Sequence, residues 1–111
     1  MDTRTADCEV IEKALAAYAA VPYARGDVVT ETVFDRVAGR FLLMNVGTEN
    51  RRRVHGCLVH IDWIDGKVWV QADGTERGMA PALVRGGIDP ERIILAFFSE
   101  GPYPYSDVLA A

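Results

Sequence analysis

The dipeptide Asp65-Gly66, set between two stretches that alternate apolar and polar residues, is the feature that most constrains this chain. Both central positions of a two-residue type I′ turn need positive φ angles, and Asp-Gly is one of the pairs that adopt them most readily. Such a turn places Ile64 opposite Lys67 and fixes the pairing of the flanking strands. The sequence therefore predicts an antiparallel hairpin centred on this dipeptide.

The predicted register divides the hairpin into two faces. It places Val59 opposite Ala72 and His60 opposite Gln71. One face is apolar and contains Cys57, Val59, Ile61, Trp63, Val68, Val70 and Ala72. The other is mainly polar and contains Leu58, His60, Asp62, Trp69, Gln71 and Asp73. A shift of one residue would mix the two sets, so the pattern supports this pairing.

Four strand-like runs form the centre of the chain, each rich in β-branched, aromatic and aliphatic residues. They are Val28 to Phe34, Arg40 to Val46, Val54 to Ile64 and Lys67 to Ala72. The connections between them are shorter than the dozen or more residues that a parallel crossover needs. The spacing therefore predicts a four-stranded antiparallel meander.

Helical patterns flank the meander. Apolar residues recur at steps of three and four from Asp7 to Ala20, which predicts an amphipathic helix with Asp7 as its N-cap and an end at Val21-Pro22. A second helix is predicted within Glu76 to Arg85, beginning close to Pro81.

After the second helix, the apolar run Ile93 to Phe98 predicts a short last strand, and the tail from Gly101 to Tyr105 is expected to be irregular. The fold class predicted from these elements is α+β: an N-terminal helix, a four-stranded antiparallel meander, a second helix and a final short strand. We expect residues 1–111 to form a single domain.

The composition is that of a folded domain, with 50% hydrophobic and 25% charged residues. The first residues lack the pattern of a secretory signal and no run suits a membrane span, so we expect a cytoplasmic protein. Cys8 and Cys57 lack the spacing of a zinc site and are expected to be reduced.

The formal net charge of −4 argues against unaided binding to duplex nucleic acid, which usually relies on a basic surface. The one basic cluster is Arg51-Arg52-Arg53. It is interpreted either as a solvated loop or strand end, or as a contact for an acidic partner.

No phosphate-binding loop, dinucleotide motif, hydrolase elbow or zincin helix occurs in the sequence. His60 near Asp62 and Asp73 could act as a general base or metal ligand. The alternative is that this polar face is solvated or is a protein interface anchored by Leu58 and Trp69. We predict no catalytic, cofactor or metal site, and expect an interface.

Two further candidates are assigned structural roles. Cys57 could be a nucleophile beside a histidine, but it belongs to the apolar set, where burial raises the pKa of a thiol and makes it inert. We therefore expect Cys57 to pack in the core. His55 is expected on the same face near its solvent end, with a structural role.

Two blocks of the sequence carry a resemblance to a known family. They are Val54-His55-Gly56-Cys57-Leu58-Val59-His60-Ile61-Asp62, and Asp65-Gly66-Lys67-Val68-Trp69-Val70-Gln71 followed by Asp73-Gly74-Thr75-Glu76. The chain resembles the XisI family, named as controlling factors for excision of the fdxN element in heterocyst-forming cyanobacteria. The resemblance implies the same α+β fold and an accessory role beside a XisH-like, nuclease-related partner. It implies no catalytic residues.

The chain departs from the family pattern at Phe97-Phe98-Ser99-Glu100-Gly101-Pro102-Tyr103, where many relatives carry basic residues. Three hypotheses follow. The first is an accessory protein that contacts a XisH-like partner, with an antitoxin-like inhibitor as one version and a homodimer as the first candidate for self-association. The second is an excision factor that binds DNA directly through Arg51, Arg52 and Arg53. The third is a small enzyme built on His60, Asp62 and Asp73.

Overall fold

A computed structural model of the chain describes residues 2–22 and 26–110. Its elements are α1 (Thr3–Ala19), β1 (Asp27–Asp35), β2 (Arg40–Glu49), β3 (Arg52–Ile64), β4 (Lys67–Asp73), α2 (Ala80–Arg85), β5 (Ile93–Leu95), β6 (Tyr103–Pro104) and α3 (Tyr105–Ala110). The strands form a six-stranded sheet in the order β1-β2-β3-β4-β5-β6. The predicted α+β architecture is confirmed, and none of the described helices is long and apolar enough to cross a membrane.

The hairpin predicted at Asp65-Gly66 is present. The φ angles are 48° at Asp65 and 81° at Gly66, and Ile64 lies opposite Lys67. A second two-residue turn joins β2 to β3 at Asn50 and Arg51, where φ is 52° and 64°. Because neither residue is glycine, the sequence carries a weaker signal there than at the first turn.

Two register shifts change the facing of residues next to the hairpin. In β3, Cys57 pairs with Met44 and Val59 with Leu43, so that Leu58 is an extra residue between them. In β4, Val70 pairs with Ile61 and Ala72 with His60, so that Gln71 is extra. Each extra residue reverses the alternation of faces beyond it.

The register predicted for the far end of the hairpin is therefore wrong. Val59 lies opposite Asp73 and not Ala72, and His60 lies opposite Ala72 and not Gln71. The prediction assumed unbroken alternation from the turn, which holds only as far as the Ile61–Val70 pair.

The core lies between one face of the sheet and helices α1 and α2. Ile11 and Leu15 of α1 are fully buried, as the helical stripe predicted, whereas Tyr18 near the end of the helix is 39% exposed. The cluster also includes Cys8, Phe41, Leu43, Val59, Ile61, Val68, Val70, Leu83, Ile88 and Ile93. We call the side of the sheet that contributes to this core the covered face.

Helix α1 begins earlier than predicted. Its N-cap is Asp2, whose carboxylate accepts a hydrogen bond from the Thr5 backbone N–H at 2.7 Å. Asp7, the predicted cap, lies inside the helix and is 3% exposed. Its carboxylate instead pairs with Arg92, a partner from the far end of the chain.

The C-terminal region departs from its prediction in two ways. The last predicted strand is confirmed only over Ile93–Leu95, which pairs with β4 in parallel through the crossover that contains α2. The tail expected to be irregular contains β6 and α3 instead. α2 begins beside Pro81, as predicted.

Candidate protein-binding face

The sheet has a second face, opposite the covered face, which we call the open face. Successive residues of a strand point to opposite sides, so the neighbours of the core residues in β1 to β4 lie on this side. Its members include Val29, Glu31, Val33, Leu42, Met44, Val46, His55, Cys57, His60, Asp62, Trp69 and Gln71. None of these side chains is fully buried.

The apolar part of the open face lies on β1 and β2. Val29 pairs with Val46 and Val33 with Leu42. The two valines of the edge strand are 58% and 48% exposed, respectively. Paired apolar side chains across two strands form one contiguous patch, and monomeric proteins seldom expose large patches of this kind.

A polar cluster centred on Asp62 occupies the other end of the open face. The imidazole Nε2 of His60 lies 2.9 Å from Asp62 Oδ1, and the amide nitrogen of Gln71 donates to Asp62 Oδ2 at 3.3 Å. The Arg40 guanidinium lies 3.8 Å from Oδ1. Both carboxylate oxygens therefore have partners, which holds the side chains of the cluster in place.

Trp69 borders this cluster. It lies opposite Asp62 on β3 and opposite Ile94 on β5, and its side chain is only partly buried by its own chain. An indole has a large apolar surface and a polar N–H, the combination that favours tryptophan at protein interfaces. Trp69 thus lies on the β4 side of the polar cluster, and the apolar part of the open face lies on the other side of the cluster, on β1 and β2.

Two of the six residues predicted for this face lie on the covered face. Leu58 packs against the core cluster because it is the extra residue of the β3 bulge. Asp73 is turned over by the β4 bulge, and its carboxylate accepts hydrogen bonds from the backbone N–H groups of Thr75 at 3.0 Å and Met79 at 2.6 Å. Asp73 therefore shapes the connection to α2.

The constellation His60, Asp62 and Asp73 is not brought together. His60 and Asp62 are in contact, but the bonds of Asp73 are made on the other side of the sheet. Within residues 2–22 and 26–110, no group of three or more His, Cys, Asp or Glu side chains is arranged to hold a metal ion.

The prediction that Cys57 packs in the core is wrong. Cys57 is exposed beside Met44 on the open face, because the Leu58 bulge reverses its facing. Partial desolvation raises the pKa of its thiol. The Sγ–H donates a hydrogen bond to the Val59 carbonyl at 3.3 Å. The thiol is thus protonated at neutral pH and a poor nucleophile.

His55 lies on the same side as Cys57, as predicted, but it is exposed. No hydrogen bond or ion pair involves its ring in the described part of the chain. The structural role expected for His55 therefore has no contact to support it.

The basic cluster forms one end of the β2–β3 hairpin. Arg51 occupies the turn and Arg52 and Arg53 begin β3, and all three are exposed, which is compatible with a solvated strand end and with a partner contact. Arg53 donates to the Gly47 carbonyl at 3.4 Å. The guanidinium groups of this hairpin end are accessible to a partner.

The apolar part of the open face was not predicted from the sequence. The signal was present, since Val29, Val33, Leu42 and Met44 occupy alternate positions of two predicted strands. The sequence between these strands contains no turn motif that fixes their register. It was therefore not possible to assign their residues to one face of the sheet or the other.

A groove of about 1000 Å³ lies on the covered side, between α1 and the connection from β4 to α2. Its wall includes Ala14, Tyr18, Leu58 and Met79, with Arg85 among its lining residues. None of the predicted polar-face residues except Leu58 lines it.

Comparison with known proteins identifies relatives of this architecture. The solved structure of a XisI-like protein from Anabaena variabilis ATCC 29413 is similar with a TM-score of 0.74 and 33% sequence identity, covering 83% of this chain and 84% of that one. The fdxN element excision controlling factor XisI from the same organism is similar with a TM-score of 0.70 and 22% identity, covering 86% and 87%. No curated protein matches significantly by sequence.

The family model described as XisI protein matches residues 1–108, nearly the whole chain. This match agrees with the similarity to the solved XisI-like structure, which has the same fold and 33% sequence identity. The chain belongs to the XisI family.

Proposed function

We propose that this chain is a non-catalytic accessory factor in the excision of a DNA element, and that it acts by binding a XisH-like, nuclease-related protein through its open face. Membership of the XisI family and the name of one structural relative, an fdxN element excision controlling factor, support the excision context. The observation that carries the proposal is the open face itself.

The open face has the composition of an interface. Its apolar part, with Val29 and Val33 exposed at the edge, would lose contact with water when a partner binds, which stabilises a complex. Trp69 is of the residue type most enriched among the side chains that dominate binding energies. Burial of these groups by a partner would lower the free energy of the complex, and the isolated chain does not bury them fully.

The polar cluster is compatible with burial in a complex. A buried carboxylate is costly when it is left without partners, but Asp62 already accepts from Gln71 and contacts His60. These bonds also fix the side chains before binding, which reduces the entropy lost on association.

Co-expression with the XisH-like companion, followed by size-exclusion chromatography, tests the proposal. We expect the two chains to co-elute at micromolar concentration. Separate elution at that concentration would contradict the proposal. Inhibition of a nuclease activity of the companion would identify the antitoxin-like version, and sedimentation of this chain alone would measure formation of the proposed homodimer.

Direct binding to DNA is the second candidate, since Arg51, Arg52 and Arg53 are exposed at one hairpin end. Phosphate contacts are strongest at low salt, so a mobility shift on duplex DNA at about 50 mM salt is the sensitive test. A shift that weakens steeply with added salt would favour this candidate, and absence of any shift would remove it.

A further inference from the structure

Strand β1 forms one edge of the sheet. It is nine residues long, and its pairing with β2 continues without interruption from Asp27–Thr48 to Asp35–Arg40. The outer side of an edge strand presents backbone N–H and C=O groups that no neighbouring strand satisfies. β1 therefore offers a long, regular template for another strand.

The side chains of β1 on the open side repeat in a simple order. Acidic and apolar residues alternate along it as Asp27, Val29, Glu31, Val33 and Asp35. Both valines are about half exposed. The side chains of Asp27 and Glu31 have no hydrogen bond or ion pair in the described part of the chain, whereas the Asp35 carboxylate accepts from the Ala38 N–H at 3.0 Å.

We propose that β1 is a strand-addition site for an extended segment of a partner protein that alternates basic and apolar side chains. Backbone hydrogen bonds to the free edge supply affinity in this mode of binding, and side chains at alternate positions supply specificity. A Lys or Arg opposite Glu31 and apolar residues opposite the valines would match β1. The inference rests on the proposed function, because it states how the partner of the open face attaches.

The same pattern disfavours a second copy of this chain at the edge. A two-fold antiparallel pairing centred on Glu31 would place Glu31 opposite Glu31 and Asp27 opposite Asp35. Like charges directly opposite each other destabilise a strand pair, and the net charge of −4 adds to the repulsion. Charge complementarity selects a basic strand.

Edge protection alone is the competing explanation for the acids. Protected edges are typically short, bulged or covered, or carry Pro or charged side chains, most often Lys. β1 is long and lacks the register shifts found in the β2–β3 and β3–β4 pairings. Its exposed valines also favour pairing with another strand. We therefore interpret the acidic residues as selecting a basic strand and not as preventing strand addition.

The test uses the full chain and the synthetic peptide Lys-Thr-Val-Thr-Lys-Thr-Val-Thr-Lys, whose order is the same read in either direction. Titration followed by NMR should shift backbone amide signals in β1 and adjacent β2, and hydrogen exchange of β1 amides should slow. A peptide with Glu in place of Lys should bind at least about tenfold more weakly. No shifts, shifts located elsewhere, or equal binding of the two peptides would overturn the inference.

Charge reversal provides the matched variants. Glu31→Lys should reduce the preference for the Lys peptide by clearly more than twofold, because one of the three facing charge pairs becomes repulsive while Asp27 and Asp35 stay acidic. Glu91→Lys, the same change at an exposed site outside the sheet, should leave the preference within about twofold of the wild type. Equal effects of the two substitutions would contradict strand addition. If Glu31→Lys also retains the XisH-like companion while Trp69→Ala loses it, the proposed function stands and only the strand-addition site is wrong.

Discussion

The guanidinium of Arg92 forms two hydrogen bonds with the carboxylate of Asp7, from Nη1 to Oδ2 at 2.7 Å and from Nη2 to Oδ1 at 3.0 Å, across 85 residues of sequence. Nη1 also donates to the Gly66 carbonyl at 3.0 Å, and Trp63 Nε1 donates to Asp7 at 2.9 Å. Asp7 is 3% exposed, so its charge is stabilised by these donors and not by water. The pair connects α1, the β3–β4 turn and the segment before β5.

Removing the cation of this pair should destabilise the fold. We expect Arg92→Met to lower the free energy of unfolding by roughly 2–4 kcal/mol, because a buried carboxylate without its ion-pair partner is costly. Chemical denaturation measures the loss. Arg85→Met is the matched control at an exposed arginine with no ion pair in the described residues, and it should change stability by less than about 0.5 kcal/mol. Equal losses would show that the Arg92 pair contributes nothing specific.

Three glycines of the sheet should differ in their tolerance of alanine. Gly47→Ala should be the most destabilising, because a Cβ there would lie 1.9 Å from the Asp27 carbonyl oxygen and would separate β1 from β2. Gly66→Ala should cost about 1 kcal/mol, since φ is 81° but no atom lies near the added carbon. Gly56→Ala has neither obstacle and serves as the control. A different order of unfolding free energies would contradict the pairing of β1 with β2 or the geometry of the turn.

The two cysteines should differ in how much substitution by serine destabilises the fold. Cys8 is 1% exposed in the core, so Cys8→Ser buries a hydroxyl and should lower the free energy of unfolding by about 1–3 kcal/mol. Cys57→Ser should leave stability nearly unchanged, since its side chain is exposed. At a pH high enough to ionise an exposed thiol, a thiol reagent should accordingly modify Cys57 well before Cys8 in the folded chain. Equal rates of modification for the two thiols would contradict the exposure of Cys57 and the burial of Cys8.

Acid should weaken the contact between α1 and the β1–β2 turn. Arg36 donates to Glu12 from Nε at 2.7 Å and Nη2 at 3.0 Å, and these hydrogen bonds hold the pKa of Glu12 below its ordinary value of 4.5. The unfolded chain thus takes up the proton at higher pH than the folded chain. The stabilisation is fully present above about pH 4.5 and is lost as the pH falls through the folded pKa.

Arg36→Gln should therefore reduce the dependence of stability on pH below about pH 4.5. The effect should be small, because both side chains are partly exposed and water screens the pair. Arg77→Gln, at an exposed arginine, provides the control in the same denaturation series. Identical acid profiles for the two variants would show that the Glu12–Arg36 pair has no influence.

Sequence patterns located most of the elements, because apolar periodicity and turn chemistry act locally. Asp65-Gly66 specified its hairpin correctly near the turn. The alternation failed beyond the bulges at Leu58 and Gln71, which placed Leu58, Cys57 and Asp73 on the wrong faces. A bulge adds one residue without requiring a residue type that alternation can detect.

Contacts between distant parts of the chain were also out of reach of local patterns. Asp7 was predicted to be a helix cap because it precedes the apolar helical pattern. Its actual partner, Arg92, lies at the other end of the sequence, where a local pattern cannot reveal it. Helix α3 has only six residues, too few for a periodic pattern to distinguish it from an irregular tail. Of the candidate site, the strand pattern correctly located His60, Asp62, Trp69 and Gln71 on one face.

The chain has two tryptophans, one on each face of the sheet. Substituting each one therefore distinguishes an effect on folding from an effect on partner binding. Trp63 packs against the core and donates to Asp7, so Trp63→Ala should lower the free energy of unfolding by about 3 kcal/mol. Trp69 lies on the open face. Trp69→Ala should fold with native circular dichroism and remain monodisperse.

The affinity of folded Trp69→Ala for the XisH-like companion tests most directly whether the open face is a protein-binding face. Truncation of an interface tryptophan commonly costs about 2 kcal/mol or more, which corresponds to a loss of about 30-fold in affinity. We predict a loss of at least this size by titration calorimetry, with the affinity of Cys8→Ser unchanged as a control for reduced stability. Wild-type affinity in Trp69→Ala, or outright unfolding of that variant, would contradict the account.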